Sequence, residues 1–403
     1  ADAITYEIAG NLVYQLLDEA NITQLEPFIF ADPHLYAEYT FVQQLVDFLT
    51  ENNAIPVAVG SGTINDLTKL AAHLTHRQYL CVATAASMDG YTAFGASITA
   101  DGAKQTFNCP APQACLADIE IIAQAPSEMT AAGYADLFAK ITAGADWILA
   151  DRLGVEPIEA KAWSIVQDGL HDALSDPVGV RKGDPEAITK LVEGLMLGGF
   201  AMQWSRSSRP ASGAEHQFSH LWNMENHLNN GEHISHGFQV SIGTLAITAF
   251  YEQFLATPIE KLDRSSACAN WPLSAESEAE ALKIFEGTDF PTIGLQETKA
   301  KYIDREQLAL QLEALKINWL VLKQRLEKQL VPFHEARHRL ELVGAPTAPE
   351  QIGISRERLR ETFVRAQFIR RRFTILDVAI RTGYVNQWLD ALFGKGGIWE
   401  IGE

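Results

Sequence analysis

Basic residues are the scarce charge in this 403-residue chain: 32 lysines and arginines stand against 51 aspartates and glutamates, a formal net charge of −19. Such a surface repels phosphate backbones and anionic lipid unless its cations cluster, so no nucleic-acid partner is expected. No apolar run reaches the roughly 20 residues of a membrane-spanning helix, so no membrane insertion is expected either. The four cysteines (Cys81, Cys109, Cys115, Cys268) include no Cys-x-x-Cys pair, and no signal-peptide pattern opens the chain. A reducing, cytoplasmic compartment follows as an expectation. Low-complexity tracts and internal repeats are missing too, which argues against a disordered or solenoid protein.

What is present is an ordinary globular composition, 47% hydrophobic and 21% charged. A single core stops growing at roughly 250 to 300 residues, so the length implies two domains. The first 120 residues alternate short apolar runs with helical patterns: a run at Ile4–Glu7, a helix near Asn11–Asn21, a run at Pro27–Phe30, a helix near Tyr39–Asn52, a run at Ile55–Val59, a helix near Ile64–Leu74 and a run at Tyr79–Thr84. This alternation predicts a parallel sheet covered by helices. After Asp118 nearly every segment has helical periodicity, beginning with Pro126 in a first helical turn. The clearest helix spans about Glu306–Leu330, where Leu308, Leu312, Leu315, Trp319, Leu322 and Leu326 form one stripe for a bundle core. A last helical stretch begins near Ser355, after the breakers Gly344-Ala345-Pro346 and Thr347-Ala348-Pro349.

Three groups of residues could carry chemistry. Val57-Ala58-Val59-Gly60-Ser61-Gly62-Thr63-Ile64 reads as a strand running through two glycines into a helix. Free N–H groups there can bind a pyrophosphate, although a plain tight turn explains the pattern equally and the third glycine of the usual fingerprint is missing. The next strand runs into Thr84-Ala85-Ala86-Ser87-Met88-Asp89-Gly90-Tyr91, placing hydroxyls and a carboxylate at a strand's carboxyl end. Asp32, at an earlier strand tip, suits an adenosine ribose or a helix cap.

The third group is histidine-rich: five of the 11 histidines, His216, His220, His227, His233 and His236, lie within 21 residues. That density points to a metal. Spacing alone pairs His216 with His220, four apart on one helical face. Asp136, inside the apolar stretch Gly133–Lys140, needs a cation partner, either a metal or Lys140 at i+4.

Taken together and in order, these segments resemble the sn-glycerol-1-phosphate dehydrogenase family, especially its bacterial members, within the iron-containing alcohol dehydrogenase and dehydroquinate synthase superfamily. The likeness rests on Gly60-Ser61-Gly62-Thr63, Thr84–Tyr91, Ala132–Lys140, Ser208–His220, His236-Gly237 and Val343-Gly344-Ala345-Pro346-Thr347. It implies an α/β Rossmann-like dinucleotide-binding domain over 1–124 and an all-α metal- and substrate-binding domain over 125–403. It further implies NAD or NADP held by Gly60, Ser61, Gly62, Thr63, Ile64, Thr84, Ala85, Ala86 and Ser87. One divalent metal, zinc or nickel with iron a third option, would sit on Asp136, His216 and His236. Asp89, Asp136 and His220 would meet a small phosphorylated polyol or ketone, and His220 thereby becomes a substrate contact, against the spacing argument. The implied reaction is reversible reduction of dihydroxyacetone phosphate to sn-glycerol 1-phosphate, a step of phospholipid metabolism, in a homo-oligomer. Where the family often has a serine touching the cofactor, four residues after the substrate aspartate, this chain has Ala93.

Two rival readings remain at this stage. One is a glycerol or other polyol dehydrogenase of the same superfamily, with Lys104, Arg206 and Arg209 as candidates to decide for or against phosphate. The other is a DNA-binding regulator, suggested by the helix-turn-helix-like stretch Thr374–Tyr384 and by Arg356, Arg358, Arg360, Arg365, Arg370, Arg371 and Arg372. The acidic total argues against it. If Asp32 faces the ribose, its charge repels a 2′-phosphate and favours NAD.

Overall fold

A computed structural model describes residues 1–100 and 103–402, and only the backbone of Ala103 and Lys104. Lys104 as a phosphate ligand thus lies outside the described side chains. Chain contacts divide the molecule into two compact units, one comprising Ala1–Leu137, Lys161–Ser208 and Leu342–Ala345, the other Phe138–Ala160, Arg209–Glu341 and Pro346–Glu403.

The first unit carries the parallel sheet. Strands β1 (Val57–Gly60) and β2 (Leu80–Ala83) pair in register Val57↔Leu80 to Gly60↔Ala83. Strands β3 (Ala96–Ala100) and β4 (Ala103–Phe107) form an antiparallel hairpin, and β5 (Ala114–Ala117) pairs parallel with β2. The central sheet has the order β1-β2-β5. The helix Gly62–Leu74 buries Ile64, Leu67, Leu70 and Ala71, the three- and four-residue spacing of one helical face.

The expected first strand, Ile4–Glu7, is helical instead, part of a continuous run from Ala3 to Glu19. Asp2 decides this: its carboxylate accepts the Thr5 N–H at 2.7 Å while the Thr5 hydroxyl accepts the Asp2 N–H at 3.1 Å. That reciprocal cap starts a helix, and it overrides the local apolar run. Pro27–Phe30, also read as a strand, contributes only an isolated bridge between Asp2 and Phe30.

The second unit is helical apart from two-residue strands at Leu228–Asn229 and Glu232–His233. The helix Arg305–Gln329 buries the six residues of the expected stripe, from Leu308 to Leu326. Ser355 caps the helix Arg356–Arg365 through the Arg358 N–H. Charge is buried deliberately here. Asp146 accepts the Tyr251 hydroxyl at 2.7 Å, the Ala214 N–H at 2.7 Å and the Ile375 N–H at 2.8 Å.

The stretch resembling a helix-turn-helix does form two helices, Ile375–Thr382 and Val385–Phe393, joined through Gly383 at φ 79°. The second buries Trp388, Leu389, Leu392 and Phe393. Arg356, Arg358, Arg360, Arg365 and Arg371 each meet a carboxylate, on Glu350, Glu225, Asp390, Glu225 and Glu297 respectively. Five of the seven arginines in that stretch are thus paired with carboxylates. Among the described residues no helix is long and apolar enough to cross a membrane.

Candidate active site

Strand β1 ends at Gly60, Ser61 stands at the N-cap in extended geometry, and the 13-residue helix begins at Gly62. The first N–H groups of a helix lack intrahelical acceptors, and here they belong to Gly62, Thr63 and Ile64. A Cβ on Gly60 would lie 2.6 Å from the Ile64 Cβ, and one on Gly62 would lie 2.6 Å from the Met88 Cε. Both glycines therefore permit a close turn against the strand end.

The segment from Thr84 to Tyr91 is fixed at several points. The Thr84 N–H donates to the Gly60 carbonyl at 3.2 Å, and the Tyr91 hydroxyl donates to the Ala85 carbonyl at 2.7 Å. A Cβ on Gly133 would come within 1.9 Å of the Ala86 carbonyl oxygen. Only a glycine allows that approach, which brings the Thr84–Ser87 turn onto the helix Ser127–Phe138 one turn before Asp136. Asp136 is wholly buried, and its Oδ2 accepts the Asp89 N–H at 3.0 Å.

Lys69 was not foreseen. Its buried ammonium donates to the carbonyls of Gly90 at 2.8 Å, Ala93 at 3.1 Å and Gly95 at 3.0 Å, fixing the loop that follows Asp89. Lys69 lies on the side of the helix opposite Ile64, Leu67 and Ala71, where a lysine reads as an ordinary solvated charge, so no sequence signal marked it. Ala93 is buried and contributes its carbonyl to this arrangement. Asp32 lies in an exposed turn, where its Oδ1 accepts the His34 N–H at 2.8 Å.

His216 and His220 share a face of the helix Ala214–Met224, and His236 opens the helix His236–Ala256 behind the Ser235 cap. Asp136, His216 and His236 each offer one ligand atom, and these atoms lie within 4.8 Å of one another. Two imidazoles and a carboxylate are an ordinary donor set for a divalent first-row metal with an open position, so these residues fit such an ion. The His216 and His236 rings are 5.2 Å apart between centroids, and His220 stands 6.3 Å from each. His233 is exposed. His227 is buried elsewhere, its Nε2 donating to the Ile352 carbonyl at 2.7 Å and its Nδ1 accepting from Arg358 at 2.8 Å.

Both converging histidines are oriented from behind. Glu215 holds the His216 Nδ1 at 2.8 Å, and it also accepts the Gly213 N–H at 2.6 Å and the Thr142 hydroxyl at 2.9 Å. Burial pushes the Glu215 carboxyl up, but its bond to His216, the charge on that ring and the Gly213 N–H outweigh burial and leave it below its ordinary value. His236 Nδ1 lies 3.1 Å from the Ser219 Oγ, which donates to Gln239 at 2.9 Å. Because that hydroxyl spends its proton on Gln239, it accepts from His236, and the tautomer follows. Burial, then the charge of Glu215, pushes the Asp146 carboxyl up to about 7. Glu215 and Ser219 escaped the sequence reading, although a glutamate between Ala214 and His216 in an apolar helix start was a signal of a paired charge.

The phosphate candidate Arg209 is spent on structure. Its guanidinium donates to the carbonyls of Phe373 at 2.9 Å and Asp146 at 2.8 Å and meets Glu156 at 3.3 Å. Arg206 is exposed, in left-handed geometry at a helix end.

Residues 1–126 match the iron-containing alcohol dehydrogenase family. The solved glycerol dehydrogenase of Schizosaccharomyces pombe superposes with a TM-score of 0.58 over 96% of this chain and 83% of that one, at 15% identity. That likeness establishes the fold of iron-containing alcohol dehydrogenases, an α/β part followed by helices. The glycerol-1-phosphate dehydrogenase (NAD(P)+) of Halalkalibacterium halodurans is 35% identical over 64% of this chain and 66% of its own length, a little under two thirds. The enzyme of the same name from Bacillus licheniformis is 32% identical over 67% of this chain and 71% of its own. With these identities over such lengths, the chain belongs to the glycerol-1-phosphate dehydrogenase family.

Proposed function

We propose that this protein is a metal-dependent oxidoreductase that transfers hydride between NAD(P)H and dihydroxyacetone phosphate, giving sn-glycerol 1-phosphate, and catalyses the reverse. The observation that carries the proposal is the convergence of Asp136, His216 and His236, with both imidazoles oriented through Nδ1. These three residues would hold the ion, each imidazole through the ring nitrogen left free by its Nδ1 partner. When bound, the ion polarises the substrate's C2 oxygen as a Lewis acid. Zinc or nickel suits the donors best in this reading, with iron as a third option.

Reduction adds a hydride to carbon 2 and a proton to its oxygen. A bound NAD(P)H would supply the hydride, and His220 would hold the proton. Asp89 meets the substrate from the loop that Lys69 fixes, and its N–H orients Asp136. Gly60, Ser61, Gly62, Thr63 and Ile64 receive the pyrophosphate at the helix start, with Thr84, Ala85, Ala86 and Ser87 beside it. Asp32 next to the ribose makes NAD the preferred form. In the same proposal the dinucleotide-binding module spans 1–124 and the metal- and substrate-binding part 125–403, and the enzyme works in the cytoplasm as a homo-oligomer.

The deciding experiment couples metal analysis to nicotinamide absorbance, with dihydroxyacetone phosphate and dihydroxyacetone as alternative substrates. His236→Ala is expected to lose metal and turnover together, by roughly a thousand-fold or more in rate if the ion supplies several kcal/mol. Full metal content with full turnover in that variant overturns the ligand set. Preference for the unphosphorylated ketone would make the protein a polyol dehydrogenase instead.

A further inference from the structure

The cysteines form no motif in the sequence, yet the parallel sheet brings two of them together. Cys81 lies on β2 and Cys115 on β5, and the ladder between these strands sets them directly opposite each other. Partners in a ladder project to the same face of the sheet, and neighbouring strands run roughly 4.7 to 4.9 Å apart. A disulfide spans roughly 4.4 to 6.8 Å between Cα atoms, so the strands already stand at a bridging distance. Both residues are free thiols.

The two positions are unequal. With the strand order β1-β2-β5, Cys81 sits on the middle strand and is only 2% exposed, whereas Cys115 sits on an outer strand and is partly exposed. Their surroundings differ in the same sense. A bond to the Cys81 thiol pulls the Cys115 thiol below its ordinary value, and the Lys69 charge adds to that pull against burial. The same bond, and then burial, push the Cys81 thiol well above its own. Since the thiolate is the nucleophile, Cys115 is the sulfur that an oxidant meets first. Cys109 is the contrast: it is buried, its Sγ lies 3.4 Å from the Phe107 carbonyl oxygen, and burial pushes it up to about 11.

We propose that Cys115 is a modification site for hydrogen peroxide and that Cys81 resolves it, closing a reversible disulfide between β2 and β5. In the first step the Cys115 thiolate attacks one peroxide oxygen: an S–O bond forms, the O–O bond breaks, and hydroxide leaves. In the second step the Cys81 sulfur attacks the sulfur of the Cys115 sulfenic acid: an S–S bond forms, the S–O bond breaks, and the departing hydroxide takes the Cys81 proton. Two thiols thus give up two electrons and two protons, and the peroxide becomes two waters. A thiol reductant reopens the bond by exchange. Because the resolving sulfur is the ladder partner, the sulfenic acid is consumed before it passes to the irreversible sulfinic acid. Neither cysteine belongs to the metal or nucleotide groups, so the pair stands or falls independently of the proposed activity.

Peptide mapping of the whole protein after treatment with hydrogen peroxide, without reduction, tests this. The tryptic peptides carrying Cys81 and Cys115 are expected to be joined, about 2 Da lighter than their sum, and dithiothreitol restores both thiols. Cys109 shares a tryptic peptide with Cys115, so Cys109→Ser assigns the bond: it is expected to link as the wild type does. In Cys81→Ala the resolving sulfur is gone, so dimedone traps the Cys115 sulfenic acid, and without dimedone that residue gains about 32 Da as the sulfinic acid. The wild-type map decides the matter even if Cys81→Ala does not fold. A wild type in which Cys115 stays a thiol, or reaches the sulfinic acid with Cys81 still present, overturns the proposal. So does a link that disappears in Cys109→Ser.

Discussion

The two compact units differ in how much close backbone approach and how much buried polar bonding surround their candidate residues. In the first, side chains are missing where backbones must approach: Gly133 lies against the Ala86 carbonyl, and a Cβ on Gly199 would come within 2.1 Å of the Thr92 Oγ1 and 2.8 Å of the Asp89 carbonyl. In the second, side chains are present, charged and buried: Glu215 and Asp146 each take three hydrogen bonds, and Arg209 spans two carbonyls. Neither means is exclusive, since the first unit also buries Lys69 and Asp136 and a Cβ on Gly243 in the second would lie 2.5 Å from the Glu215 carbonyl oxygen, so the tests are local: added volume at Gly133 and removed polarity at Glu215. A dinucleotide needs bare backbone N–H groups, whereas a metal needs rings that cannot turn, so each means suits its ligand.

The sharpest break within the histidine group is His220→Ala. Metal content is expected to persist, because Asp136, His216 and His236 remain, while the rate falls by roughly a hundred- to ten-thousand-fold if His220 moves a proton. Loss of metal in this variant would instead make His220 a ligand. Next in size is Gly133→Ala, which should lower stability by about 1 to 3 kcal/mol and weaken dinucleotide binding by displacing the Thr84–Ser87 turn. Gly169→Ala, in the same unit with nothing within 4 Å of its Cβ, is the control and should do neither. Equal melting temperatures for the two variants would remove the argument from close approach.

Glu215→Gln probes the other means. The amide can keep its bonds to Gly213, His216 and Thr142 while dropping only the charge, so the fold persists and metal affinity falls roughly ten- to a hundred-fold. Unchanged affinity would reduce Glu215 to packing. The smallest effect concerns His227, held neutral because burial, and then the Arg358 charge, depress its pKa below the ordinary 6.5. Its contribution to stability is complete above 6.5 and is lost as pH falls through the folded value, since the unfolded chain then binds the proton first. His227→Gln should flatten the acid limb of a melting-temperature curve below the ordinary histidine value of about 6.5. An identical limb would assign the loss to other groups.

Much of this was legible in the sequence where a pattern repeats. The stripe from Leu308 to Leu326 was, because a helical period survives any packing partner. The strand-glycine-helix turn at Gly60 was too, since its cause is local. Ile4–Glu7 was misread because one capping pair at Asp2 and Thr5 outweighed an apolar run. In the candidate site, residue types pointed to Asp136, His216 and His236 only after the family resemblance supplied the long-range pairing, and spacing alone chose His220. Glu215, Ser219 and Lys69 act through partners fixed by tertiary structure, and a single sequence does not encode such distances visibly.

Lys69 couples two events that chemistry keeps apart. It belongs to the helix whose first turn would greet the pyrophosphate, and its ammonium holds the three carbonyls that trail Asp89. Helix and loop are therefore tied at one point. If the helix start receives the pyrophosphate and Asp89 meets the substrate as proposed, cofactor and substrate would sense each other through a single amine.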